Sequence, residues 1–230
     1  MLAYAISIFR HKLGSDAVKS FRGLIYRILP LIGVISVAGC TYQYASTAPE
    51  LIAERGLPPP SRAKFTVCFN YGCSSTKEIK LSDAEWAEVT ALVQTQAPTA
   101  DAERKQLAAA VAKLELIVER YTATKDLGGT LKNVNKSGQL DCMDEAANST
   151  TYLILLEQQG FMHFHKTQTT AWRGAIIVSH WPHTTAVVRE TATNADYVID
   201  SWFRDSGVMP DIVALAEWKA GWKPEGFTDP

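Results

Sequence analysis

Residues 141–170 read DCMDEAANSTTYLILLEQQGFMHFHKTQTT, and this stretch decides the fold. Ala146, Thr150, Leu153, Ile154 and Glu157 recur at helical spacing, which predicts a helix to about Gln159 with Gly160 as its stop. Beyond Gly160 the period changes. Residues 161–170, 174–179, 184–190 and 197–200 are rich in Val, Ile, Thr and aromatics and are expected to be strands. The short turn at Thr193-Asn194 makes the last pair antiparallel. Upstream, Ser82-Asp83-Ala84-Glu85 is a capping box that should open a helix reaching about Gln96, with Pro98 as breaker. Asp101 opens a second helix, on which Leu107, Val111, Leu114, Val118 and Tyr121 form one apolar face. Residues 211–218, with Pro210 near their start, read as a closing helix. Helices first and strands afterwards make an α+β fold, a helical layer packed on an antiparallel β-sheet.

The chain has 230 residues, 23 Lys+Arg against 24 Asp+Glu, and 47% hydrophobic residues. That composition suits a folded protein and excludes general disorder. It supplies no basic footprint, so nucleic acid is not an expected partner. The near-zero charge hides two unlike parts. Residues 1–39 hold Arg10, Lys12, Lys19, Arg22 and Arg27 against the single acid Asp16, so the remainder carries about −5. Residues 28–39, ILPLIGVISVAG, form a charge-free run too short for the ~20 residues of a membrane span and right for the ~7–15 of a secretory h-region. The organisation expected is a leader over 1–39, a tether rich in Thr, Ser, Ala and Pro over 40–64, and a folded domain over 65–230.

The end of the leader, Val37-Ala38-Gly39-Cys40, resembles the lipobox of bacterial lipoproteins. The resemblance implies a lipid-modified Cys40, export, and a cell-envelope location anchored to a membrane. Thr41 stands where an inner-membrane retention signal usually has Asp, which implies the outer membrane, facing the periplasm, if the cell has one. A plain signal peptide or a short anchor helix is the simpler alternative.

Three further cysteines follow. Cys68 and Cys73 bracket Asn70-Tyr71-Gly72, which is turn chemistry. Outside the cytoplasm such a pair is expected to close a small disulfide. A metal pair is the alternative, but no second Cys or His pair lies nearby to complete four ligands. Cys142 is then the odd thiol. It sits where a polar loop enters a helix, and the free N–H groups and partial positive charge there lower a thiol's pKa. A structural cysteine is the plainer reading, but its neighbours Asp141, Asp144 and Glu145 are not apolar.

A nucleophilic thiol needs a base. His183 opens one expected strand and Asp200 ends the next, so adjacent antiparallel strands bring the two side by side. Cys142, His183 and Asp200 in that order, one at a helix start and two on neighbouring strands, resemble the transglutaminase-like branch of the papain-like cysteine hydrolases. The phrases Asp141-Cys142-x-Asp144 and Tyr197-Val198-Ile199-Asp200-Ser201-Trp202 resemble those of bacterial transglutaminase-like cysteine peptidases. The resemblance covers about residues 131–204. It implies a papain/transglutaminase-like fold and an exported hydrolase or acyltransferase that attacks amide bonds through a thioester. Its substrate would be a protein, a peptide or peptidoglycan. Some relatives bind calcium through acids beside the cysteine. Met143 stands between the acids where those relatives carry Glu, so neither metal nor cofactor is expected, and Asp141, Asp144 and Glu145 read as charges suited to a helix N-terminus.

The oxyanion donors are the Cys142 N–H and, more weakly, the side chain of Gln139 or Asn135. His180 is a competing base. His163 and His165, two apart on a strand, form a possible metal pair but read better as ordinary strand histidines. Trp172, Trp181 and Trp202 flank the expected catalytic strands and either wall a cleft or fill the core. Arg204 either meets a substrate carboxylate or is a surface charge. The competing function is a non-enzymatic envelope lipoprotein that uses the same fold to bind.

Overall fold

The computed structural model describes residues 47–130, 138–175 and 180–228, with the side chains of residues 175, 180 and 181 left aside. The leader, Cys40, Asn135 and the side chains of His180 and Trp181 therefore lie outside the described residues. In chain order the elements are α1 (Ala48–Glu54), β1 (Phe65–Phe69), β2 (Ser75–Ile79), α2 (Asp83–Thr90) and α3 (Ala100–Thr122). Then follow α4 (Cys142–Gln158), β3 (His165–Ala175), β4 (His180–Glu190), β5 (Asp196–Asp200), β6 (Asp211–Ala214) and α5 (Leu215–Lys219). The architecture is α+β. A small β1–β2 hairpin and a four-stranded antiparallel sheet of order β3-β4-β5-β6 carry the helices. Among the described residues no helix is long and apolar enough to cross a membrane.

Local chemistry opens the helices. Thr47, Ser82 and Asp141 each close a reciprocal capping box, with Glu50, Glu85 and Asp144 as partners. Thr99 caps α3 through the Ala102 N–H. Each such cap supplies an acceptor to N–H groups that the helix itself leaves open. The α3 face of Leu107, Val111, Leu114 and Val118 is buried against α4 residues Tyr152, Leu153, Leu155 and Leu156 and against Ala186, Val188 and Ile199 of the sheet. The opposite sheet face puts Val187, Val198 and Val213 against Trp218. Alternate residues of β4 and β5 thus enter two separate cores, as the pleat requires.

Four expectations change. The C-terminal part of the expected tether is folded: Ala48 and Ile52 of α1 are buried with Leu57, Cys68, Ala147 and Ile154. Helix α2 stops at Thr90, and residues 91–95 turn so that Val93 and Ala97 are buried. Residues 211–214 are not helical. Asp211, Ile212 and Val213 pair with Asp200, Ile199 and Val198, because an open β5 edge satisfies β-branched residues better than an isolated turn of helix does. The expected strands 161–170 and 174–179 join without a break from His165 to Ala175 as β3, with irregular pairing between Gln168 and Ala171 and between Arg173 and Ala175; residues 161–164 are not strand, and residues 176–179 lie outside the described residues. His183 therefore lies inside β4, not at its start. Pro182, which has no N–H to give a ladder, sits where β4 has an irregular β3 partner and where the β5 pairing, which begins at Ala186, has not started.

Candidate active site

Helix α4 presents Cys142 as its first residue, half-buried and the free cysteine among the described residues. The Asp141 carboxylate accepts the Met143 N–H at 3.0 Å and the Asp144 N–H at 2.9 Å, and the Asp141 carbonyl takes Glu145 N–H. These bonds use the neighbouring first-turn donors and leave the Cys142 N–H to its own sulfur. The thiol is not activated as the helix start alone suggests. Burial pushes it up to about 12, against the backbone hydrogen bond from Thr184, and the carboxylates of Asp141 and Asp200 add to the rise. Desolvation and two acids outweigh the helix terminus. The resting sulfur is a neutral thiol held beside the residue that follows His183.

His183 and Asp200 are both buried. The His183 Nε2–H donates to Asp200 Oδ2 at 2.8 Å, and the Trp218 Nε1–H donates to the same oxygen at 2.7 Å. Trp202, Phe203 and Trp218 pack around the imidazole with ring centroids 4.8, 5.1 and 5.4 Å away. This aromatic wall keeps water from the His–Asp pair, so the pair keeps its geometry and strength. With Nε2 bearing the proton that Asp200 receives, Nδ1 carries the lone pair. That Nδ1 is buried and has no hydrogen-bond partner among the described residues. The thiol takes the N–H of Thr184, the residue after His183, but does not hydrogen-bond to the imidazole.

The acids beside Cys142 have a structural task. Asp144 accepts the N–H of Tyr71 at 2.8 Å and of Cys73 at 2.6 Å, and Asp141 accepts that of Gly72 at 3.0 Å. A disulfide joins Cys68 to Cys73 and closes this turn. Asn70, Tyr71, Gly72 and Cys73 all have positive φ, between 59° and 68°, a run that aims successive N–H groups at one anion. Here the anions are the first-turn carboxylates of α4. The Asn70 side chain also accepts the Gly138 N–H, which ties the turn to the loop that leads to Cys142. Asp144 lies with Cys68 and Cys73 at metal-ligand separations. Sulfurs already bonded to each other are not thiolate ligands.

Gln139 does not serve as an oxyanion donor. Its buried amide donates to Asp126 and to the carbonyls of Leu127 and Leu140, while its oxygen accepts the Leu127 N–H. The side chain braces the loop because buried amide hydrogens need acceptors close at hand. His165 is fully buried between Glu103, 2.8 Å from Nδ1, and Arg104, 3.1 Å from Nε2, whereas His163 is exposed. The two do not converge on a metal. Trp202 belongs to the wall around His183, Trp172 is 60% exposed on β3, and Arg204 makes a bidentate pair with Asp211. Trp218, which holds Asp200, and the buried acids Glu115 and Asp126 are functional neighbours that sequence reasoning misses, and it does not foresee the burial of Glu145. Trp218 carries no local signal, and Glu145, one turn after Cys142, looked like an ordinary first-turn acid.

No protein-family model, no curated protein and no solved structure matches the chain.

Proposed function

We propose that the chain is a cysteine hydrolase or acyltransferase of transglutaminase-like type, with a papain-like arrangement of its α+β domain. The observation that carries this reading is the imidazole of His183, clamped at Nε2 by Asp200 and left with a buried, unpaired Nδ1. An unsatisfied buried acceptor costs roughly 1–3 kcal/mol, and a proton acceptor for the neighbouring thiol gives it a use. Cys142 Sγ attacks an amide carbonyl while its proton passes to Nδ1. Asp200 stabilises the imidazolium, and the Cys142 N–H donates to the developing oxyanion. The proton on Nδ1 then goes to the leaving amine, which leaves a thioester at Cys142. Water or an amine attacks the thioester and regenerates the thiol. Because the resting thiol is neutral, attack requires imidazole and thiol to close to hydrogen-bond distance as substrate binds. The lipobox-like end of the leader supports a lipid-anchored envelope location, with protein, peptide or peptidoglycan as substrate.

A second reading is a non-enzymatic envelope lipoprotein that binds with the same fold. It is favoured by the absence of a hydrogen bond between the thiol and the imidazole and by the raised thiol pKa. An activated acyl ester separates the two. The hydrolase forms a thioester at Cys142, seen as a mass increase on its peptide, and His183→Ala slows its formation by about 10² or more. Absence of the thioester, or an unchanged rate in His183→Ala, leaves the binding module.

A further inference from the structure

Directly behind the candidate site lies a group of carboxyls that the proposed chemistry does not use. Glu115 of α3 is 7% exposed, and Asp126 and Glu145 are each 3% exposed. The Asp126 and Glu145 carboxyls lie within hydrogen-bonding reach of each other. Two carboxylates cannot make that bond, since each is an acceptor only; one must carry a proton. The charged and titratable neighbours that act most strongly on the group are acids and a phenol. These are Glu115 and Glu119 from α3, Asp126 from the following loop, and Glu145 and Tyr152 from α4. Tyr71, in the β1–β2 turn, feels Asp126 as well. Among the described residues no Lys, Arg or His forms an ion pair with Glu115, Asp126 or Glu145. Glu115 Oε1 and Asp126 Oδ2 are buried with no conventional donor. Glu115, Glu119 and Glu145 line a cavity of about 20 Å³, the size of a single water site.

The connections of this group lead to all the parts of the candidate site. Asp126 accepts the Leu140 N–H at 2.8 Å and the Gln139 amide, which fixes the approach to Cys142. Glu145, one turn into the helix of Cys142, accepts the Ser201 hydroxyl at 3.0 Å, and Ser201 follows Asp200. Ser201 also pairs with Ser149 at 2.9 Å.

We propose that Asp126 and Glu145 share a proton, and that this carboxyl pair is the positioning device that holds the loop before Cys142, the first turns of α4 and the segment after Asp200 together. Losing the proton puts two buried negative charges in contact and releases that junction. Burial raises Asp126 to about 7 and Glu115 to about 8, and it raises Glu145 well above the ordinary carboxylate range. The folded chain therefore holds more protons than the unfolded chain as pH rises from about 4 through the 7–8 range of Asp126 and Glu115, so these groups lower stability across that window. The inference stands whether or not Cys142 is a nucleophile.

Infrared spectroscopy of the full chain at neutral pH tests it through the C=O stretch of a protonated carboxylic acid. The wild type should show that band. Asp126→Asn and Glu145→Gln should remove or shift it, and Glu88→Gln, an exposed control, should leave it unchanged. The fall in unfolding midpoint between pH 5 and pH 8 should shrink in Glu145→Gln, whose amide supplies a permanent donor. A wild type without the band overturns the proposal even if both variants fail to fold. So does a band that neither substitution moves, or one abolished by calcium, which would make the site a cation site.

Discussion

His183 and Asp200 meet at 2.8 Å although they are not opposite each other in the sheet. The β4–β5 register pairs Ala186 with Ile199, and its continuation sets Asp200 against Thr185, two residues from His183 on the same face. The contact is a diagonal one, within reach of a long side chain. The two donors on Asp200 Oδ2, from His183 and Trp218, fix the carboxylate from both sides. Orientation of the His183 imidazole therefore depends on α5 as well as on the sheet.

Asp200→Asn should keep the fold and slow thioester formation by roughly 10²–10⁴-fold, since the amide disrupts the tautomer that leaves Nδ1 free. Trp218→Phe, which removes one of two donors to the carboxylate, should cost about 10-fold. Stopped-flow or quenched acylation kinetics with an activated ester measure both, and equal effects would contradict the assigned roles.

The neutral resting thiol has its own signature. Iodoacetamide should alkylate Cys142 at pH 7 roughly a hundredfold or more slowly than an unperturbed thiol, because a group raised to about 12 offers little thiolate there. The rate, followed on the Cys142 peptide by mass spectrometry, should still be climbing at about pH 10. A plateau with a midpoint near neutrality would instead reveal a thiolate–imidazolium pair.

The disulfide-closed turn is predicted to support the start of α4. Replacing Cys68 and Cys73 by Ser should lower unfolding free energy by about 2 kcal/mol for so short a loop. Asp144→Ala removes the acceptor of the Tyr71 and Cys73 N–H groups and should cost about as much again. Urea denaturation checks both, and a double variant that loses much less than the sum shows that turn and carboxylate act as one unit.

Glu103 anchors α3 to the entry of β3. It accepts the N–H groups of His163 and Phe164 and lies 2.8 Å from His165 Nδ1, all on a residue 1% exposed. Glu103→Ala should destabilise the chain by about 3–5 kcal/mol, because it leaves the His163 and Phe164 N–H groups and the buried His165 ring without their acceptor. A loss under about 1 kcal/mol by urea denaturation would show that this network is dispensable.

Gly128 packs where a Cβ would lie 2.4 Å from the backbone carbon of Arg204. Gly128→Ala should cost about 1–3 kcal/mol by overpacking, and because the displaced segment follows Asp200 and Trp202 it should also slow acylation.

Much of the local structure is written in short segments. The capping box at Ser82, the helix start at Cys142 and the apolar stripe of α3 all occupy the places that sequence alone indicates. The positions of Cys142, His183 and Asp200 as candidates are also local facts, since a cysteine at a helix start and a polar residue on a strand depend on a handful of neighbours.

What the tertiary structure decided is which partner each group finds. Residues 211–214 carry a pattern compatible with helix, and only the free edge of β5 makes them a strand. Gln139 and Glu145 look alike in sequence, as polar residues near a helix start. Packing turns both inward, one to brace a loop and the other to share a buried acid contact. The helix terminus predicts a depressed thiol pKa, and burial beside Asp141 and Asp200 reverses it. Hydrogen bonds and periodicities within one turn are encoded by adjacent residues. Desolvation and long-range pairing depend on elements that meet only when the chain is folded, so no local pattern contains them.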